Sequence, residues 1–323
     1  MSVVTSTMAA CLADTSWPQP DSGAITVTLN THVTNISLTG DLKSADTKIQ
    51  VTTAGATPTT KLYDKVFTTT AMAPLQRIDL DPSLALPPSV LDGIRSLSYD
   101  RATKVVIKFK SRWWSAFYPS SGPLTGGISK TDLPLSNVVY PSWDDGPSTP
   151  AVLMVSYTWS QDASRMASLV GSYDDPATHP GINDPLVEVC LRDLEKLWRG
   201  KPGAKTYEEL RGLYDWHHAW AWEKDPWTGG AFALFGPGQF RNVLEQFTAG
   251  TFAGGRLAIC GEAVSTHHAW ISGALDSAWF AVLKMLGDGA KAKLAPFDVY
   301  SKGRQAEGSA RLAYWSGDLS EGL

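Results

Sequence analysis

The hydrophobic pattern is most informative between Gly255 and Leu286. Arg256 to Cys260 reads as a short buried strand, Gly261-Glu262 as a turn, and the residues beyond as a long amphipathic helix. Trp270, Ala274, Leu275, Ala278, Val282 and Leu286 recur at three- and four-residue spacings and mark one apolar face, of the kind a surface helix buries. A strand that ends in a glycine turn and feeds a helix is how α/β proteins bring backbone N–H groups onto a ligand, although an ordinary βα unit has the same spacing. From Lys104 the chain alternates, with Val105, Ile107 and Phe109 on one side and Lys104, Val106, Lys108 and Lys110 on the other. The run Ala151 to Trp159 is almost continuously apolar and predicts a buried central strand. Residues 24–38, 48–53 and 61–70 are threonine-rich, β-branched and separated by short turns, which predicts an antiparallel meander or three-stranded ribbon. Helices are expected over 89–96, 162–170, 184–198 and 206–213; the third carries Leu186, Val189, Cys190, Leu194 and Leu197 along one face. The mixture predicts an α/β fold, α+β in part.

Composition narrows the function classes. The 323 residues are 43% hydrophobic and 19% charged, a globular composition with enough chain for one large domain or two. A net charge of −4 argues against nucleic acid held on a basic patch. No apolar run approaches the roughly 20 residues of a membrane span. The first thirteen residues have no basic leader and no convincing apolar core, so no signal peptide is predicted and a cytoplasmic location is the default. Cys11, Cys190 and Cys260 are too scattered for a disulfide framework or a zinc site. Asn35-Ile36-Ser37 matches a glycosylation sequon by pattern only. The pairs His217-His218 and His267-His268 have no acidic or cysteine partners at ligand spacing, so no metal is predicted. No catalytic triad or phosphate loop is legible. Of thirteen tryptophans, seven fall between Trp198 and Trp279, a density that serves either a bulky core or the walls of a flat ligand site.

Several stretches together carry a family resemblance. Gly261-Glu262 followed by H-x-W-x-x-G-A (His268 to Ala274) resembles the C-terminal flavin-contacting segment of flavin-dependent amine oxidases, above all the L-amino-acid oxidases. Gly126-Gly127, the Thr131–Pro134 TDLP and Tyr140-Pro141 resemble a run typical of the L-amino-acid oxidases. Trp222, Gly229-Gly230 and Phe232 fit the family's W-x(6)-G-G-x-aromatic, and Val33 to Thr70 resembles its strand, ribbon and returning strand. The resemblance implies FAD as cofactor. It also implies a partial FAD-binding domain of glutathione-reductase type over 1–80, an α+β substrate-binding domain over 81–250, the rest of the FAD domain over 251–300, and a tail over 301–323. Implied roles are backbone contact of Val33 with adenine, Lys104 near flavin N5 through a water, and a hydrogen bond from Tyr140 to the substrate carboxylate. Lys104 stands ten residues before Trp114, which is expected to end the same strand. Trp222 is implied beside the flavin, Phe232 and Trp270 as facing walls of an aromatic cage, and Gly261, Glu262 and Ile271 along the ribityl-phosphate and ring edge. The implied chemistry is hydride transfer from an L-amino acid to flavin, hydrolysis of the imine to a 2-oxo acid and ammonia, and reduction of O2 to hydrogen peroxide.

The resemblance covers Asp21 to Lys284, and no G-x-G-x-x-G dinucleotide motif occurs in the chain. The family's carboxylate-clamping arginine is absent with it. The expectation is therefore one chain of a split oxidase, a hetero-oligomer in which a second polypeptide brings the βαβ unit. Two alternatives stay open: a non-catalytic homologue acting as a binding or scaffold protein, and an oxidase of amines that lack a carboxylate.

Overall fold

A computed structural model describes residues 26–55, 57–117, 126–143, 146–173, 178–248 and 251–287; the first thirteen residues with Cys11, and the tail 301–323, lie outside them. The chain enters an antiparallel ribbon of β1 (Val33–Leu38), β2 (Ile49–Thr53) and β3 (Thr59–Tyr63). Its first strand occupies only the end of the expected 24–38 stretch. Thr52 and Thr53 meet Thr60 and Thr59 across the ribbon, hydroxyl to hydroxyl at 3.2 Å, which is why threonine suits the exposed outer edge of the ribbon. The chain breaks at Asp64-Lys65 and continues as β4 (Val66–Thr68), so the predicted 61–70 strand is two strands. After α1 (Met72–Gln76), β5 (Asp79–Leu80) pairs parallel with β1, and α2 (Pro88–Ser96) follows. Ile36, Ile49, Met72, Leu75, Leu84, Val90 and Ile94 make the first core.

Next, β6 (Tyr99–Asp100) leads into β7 (Ala102–Phe109), β8 (Ile128–Lys130), β9 (Asn137–Val139) and β10 (Ala151–Trp159). Helices α3 (Ser160–Ala167), α4 (Pro185–Trp198) and α5 (Tyr207–Leu213) precede β11 (Tyr214–Ala221). The antiparallel sheet runs β11-β7-β10-β9-β8, with β10 inside it as predicted. Val105, Ile107, Phe109, Leu153 and Val155 on one sheet face pack with Leu186, Cys190, Leu191, Leu194 and Trp198 of α4 to form the second core. Asp184 caps α4 by accepting the Leu186 N–H at 2.9 Å, and Thr206 with Glu209 closes a capping box on α5, each worth about 1 kcal/mol. Trp114 does not end β7. The strand stops at Phe109, and Trp114 is buried in a following 3₁₀ turn, edge-on to Phe109 at 6.0 Å.

β12 (Phe232–Ala233) pairs with β6, α6 (Glu245–Thr248) follows, and β13 (Leu257–Ile259) pairs parallel with β4 before α7 (Ile271–Leu286). Ala233, Leu244, Phe247, Leu257 and Val264 join the first core, so that core draws on residues inside the expected 81–250 region. The helix predicted directly after Gly261 starts only at Ile271, behind a 3₁₀ turn over Glu262–Val264. Its buried face is rotated from the expected stripe, of which Ala274, Ala278 and Val282 are half-buried. Gly273, Asp276, Ser277, Ala281 and Met285 are buried, while Trp270, Leu275 and Leu286 are exposed. Close approach explains the choice: a Cβ on Gly273 would lie 2.2 Å from the His267 carbonyl oxygen, and the Ser277 hydroxyl accepts the Gly261 N–H at 3.1 Å. The strip of small residues takes the seat, and part of the apolar stripe turns outward. None of the described helices is long and apolar enough to cross a membrane.

A candidate flavin and substrate site

The sheet face opposite α4 is only half covered. Register places Tyr157, Lys104 and Trp220 in one row across three strands, Met154, Val106 and His218 in the next, and Val152, Lys108 and Trp216 in a third. The Lys104 ammonium lies 4.8 Å from the centre of the Tyr157 ring, a cation–π contact that holds a lysine upright on an aromatic floor. Lys108 is instead paired with Asp215 at 2.6 Å. Along β11 the rings of Trp216, His218 and Trp220 stack at 5.8 and 6.2 Å, with His179 stacked on Trp216 at 5.2 Å, and Trp222 meets Trp220 edge-on at 6.0 Å. Sequence reasoning missed β11, although Trp216, His218 and Trp220 alternate against His217, Ala219 and Ala221 with the period of a strand. Lys104 and Trp222 thus share this face with tryptophans.

At the start of β7 the pair β6–β12 brings Phe232 beside Asp100. Phe232 is half-buried, whereas Trp270 is 69% exposed on the turn leading into α7. A single carboxylate connects their neighbourhoods. Glu262 accepts the Ala269 N–H at 2.7 Å and the Ala233 N–H at 3.1 and 3.3 Å. Burial raises its pKa, and the two amide donors oppose that shift. Tyr99, nearby, is pushed up to about 12 by burial, with Glu262 adding in the same direction. Gly261 has φ 112°, and a Cβ there would sit 3.3 Å from the Thr69 carbonyl oxygen, so only glycine lets this turn lie against the end of β4. Gly229 and Gly230 also serve close approach, but to protein: their Cβ positions fall 2.4 Å from Ala73 and 2.9 Å from Tyr99. Ile271 opens α7 and is exposed beside Trp270.

A cavity of about 470 Å³ opens between the ribbon and β4. It is lined by Val33, Val66, Phe67, the Thr68–Thr70 end of β4, Arg77 and Trp227 among others. Val33 therefore borders a concave, mainly apolar slot beside the Thr68–Thr70 backbone. A slot of this kind next to a strand end and a glycine turn fits part of a dinucleotide.

Tyr140 stands apart. It is 5% exposed within the second core, its ring 6.2 Å from Trp198 and its hydroxyl 3.1 Å from the Ser129 Oγ. The structure does not bring it to the Lys104 face. Also unforeseen is a buried polar cluster beneath β11. His217, with no exposed surface, lies 3.1 Å from an Asp184 oxygen through Nε2 and 2.8 Å from the Tyr214 hydroxyl through Nδ1, and Tyr173 donates to the same Asp184 oxygen at 3.0 Å. Burial lowers the His217 pKa against the pull of Asp184. The adjacent histidines of the sequence are thus split by the strand alternation, one into the core and one onto the open face.

Residues 4–286 match the family described as flavin containing amine oxidoreductase. The chain belongs to that family. A Dictyostelium discoideum protein bearing the name bifunctional amine oxidase is 39% identical over 224 residues, 69% of this chain and 19% of that protein. L-amino-acid oxidase 4 of Hebeloma cylindrosporum is 35% identical over 277 residues, 83% of this chain and 41% of that protein. The L-amino-acid oxidase of Siganus canaliculatus is 32% identical over 212 residues, 65% of this chain and 34% of that protein. The chain therefore spans less than half the length of each. Membership in the flavin-containing amine oxidoreductases carries FAD as cofactor and accords with the mixed α/β architecture.

Proposed function

We propose that this chain supplies the substrate-side half of an FAD-dependent L-amino-acid oxidase, and that a second polypeptide carrying the dinucleotide-binding βαβ unit completes the site. The observation that carries the reading is the open Lys104–Trp220–Tyr157 face, which lies beside the Phe232 and Glu262 elements in a chain of this family. Bound FAD supplies the two-electron acceptor: an L-amino acid, O2 and water give a 2-oxo acid, ammonia and hydrogen peroxide. Around that chemistry the chain's residues bind and orient. Lys104 holds a cation on the open face, where it favours negative charge developing on a planar partner. Trp220 and Trp222 exclude water from the same surface. Phe232 and Trp270 flank the amine, and Val33 with Gly261, Glu262 and Ile271 follows the nucleotide. The Tyr140 role has least geometric support, because a substrate carboxylate has to replace Ser129 as its partner.

The need for a second polypeptide draws support from the other half of the chain. Parallel strands ordinarily lie within larger, covered sheets, yet β4 and β13 form a two-stranded parallel sheet, and α7 beside them turns apolar residues outward. The test is an absorbance spectrum of the purified chain alone and after mixing with a polypeptide bearing G-x-G-x-x-G, followed by a peroxide assay with L-amino acids and with simple amines. Flavin retained only by the mixture, with peroxide from L-amino acids, is expected; turnover in that mixture drops at least tenfold in Lys104→Met. Flavin bound by the isolated chain rejects the partner, and turnover of amines alone rejects the amino-acid substrate.

A further inference from the structure

We infer that Glu262 is a positioning residue whose carboxylate clamps the backbones that carry the two aromatic walls, fixing Phe232 and Trp270 relative to each other. The inference rests on the oxidase reading for what the walls do, but the clamp itself is visible without it. Oε1 accepts both Ala269 N–H, at 2.7 Å, and Ala233 N–H, at 3.1 Å, while Oε2 accepts Ala233 again at 3.3 Å. Each donor is the immediate chain neighbour of a wall: Ala233 follows Phe232, and Ala269 precedes Trp270. No other contact of Phe232 or Trp270 described above joins the two walls to each other.

The clamp also meets a local conformational need. Ala269 has φ 64°, a left-handed backbone that a non-glycine residue rarely adopts without external restraint. Its N–H points at the half-buried Glu262 carboxylate at 2.7 Å, where a charge-assisted hydrogen bond is short and strong. On the other side of the turn His268 docks on the same segment, stacked on Phe240 at 5.2 Å and edge-on to Phe235 at 4.2 Å. The turn is thus held at two points against residues 232–240, and loss of the carboxylate leaves the aromatic dock in place. Glu262 variants therefore loosen the Trp270 turn and leave the domain folded.

Reach and charge separate this role from a purely electrostatic one. Glutamine keeps an oxygen at the Oε1 position that can accept both amides, at the cost of the charge and of the second acceptor for Ala233, whereas aspartate keeps the charge but is one methylene too short to bridge them. The experiment is hydrogen exchange at the Ala233 and Ala269 amides in the full chain, with Leu257–Ile259 of β13 as internal reference. Both amides are expected to exchange roughly ten- to a hundredfold faster in Glu262→Ala and Glu262→Asp, and to be less affected in Glu262→Gln, with the reference strand unchanged. In the flavin-loaded assembly substrate KM is expected to rise most in Glu262→Ala and Glu262→Asp and least in Glu262→Gln. Unchanged exchange in Glu262→Ala overturns the clamp, and so does faster exchange in Glu262→Gln than in Glu262→Asp. Exchange needs neither flavin nor turnover, so an assembly without oxidase activity rejects the function while the clamp stands or falls on its own readout.

Discussion

The two cores of this chain solve the same packing problem to different degrees. The sheet β11-β7-β10-β9-β8 covers one face with α4 and seals that face with a polar cluster whose groups bond one another: Asp184, His217, Tyr214 and Tyr173. Around β4, β13 and α7 the packing stops short. A two-stranded parallel sheet, a cavity of about 470 Å³ and an outward apolar helix stripe remain. The difference teaches that the sheet region is built to hold its geometry unaided, whereas the region around β4, β13 and α7 leaves apolar surface open, as the proposed assembly requires.

Breaking the closed region has the largest expected effect. Asp184→Ala removes the α4 cap and strips His217 and Tyr173 of their shared acceptor, and is expected to cost about 3–5 kcal/mol of unfolding free energy in urea titration. Next comes Gly273→Ala, where the added methyl collides with the His267 carbonyl and costs about 1–3 kcal/mol while lifting α7 from its seat.

A smaller effect depends on pH. The folded His217 holds its proton less tightly than an unfolded histidine, which titrates at 6.5, so only the unfolded chain gains a proton just below that value. Stability present above pH 6.5 is therefore lost as pH falls toward the folded pKa, and His217→Gln is expected to flatten that slope in pH-dependent denaturation. The smallest effect on folding belongs to the open region: Leu275→Asp, on an exposed position, is expected to shift stability by no more than about 0.5 kcal/mol, yet to abolish flavin uptake with the partner. A large loss of stability from Leu275→Asp removes the contrast between the regions.

What was legible in the sequence follows the same divide. The alternation through Lys104–Lys110 and the periodicity of 184–198 located β7 and α4 because those elements bury what their patterns mark as apolar. β11 escaped because its open-face residues are tryptophans and a histidine, so neither side of the alternation reads as polar. α7 was found but its buried face is rotated from the expected one, since a periodic apolar stripe does not reveal that Gly273, Ser277 and Ala281 fit the nearer surface. Among the proposed site residues, Lys104, Trp222 and Phe232 stand on or beside one face, while the burial of Tyr140 against Trp198 was not legible because it depends on contacts far along the chain.

The parallel pairing of β4 with β13 has a kinetic consequence. Val66 meets Leu257, and the same junction is latched by Lys65 donating to the Gly255 carbonyl, 190 residues away, and by Arg256 reaching back to the carbonyls of Leu42, Ser44 and Thr47. Contacts this distant along the chain carry a loop-closure entropy that local pairings avoid, and they lower the folding rate. A sheet and α4 already folded shorten that loop, so the topology favours closing the junction of β4 with β13 after the body between them.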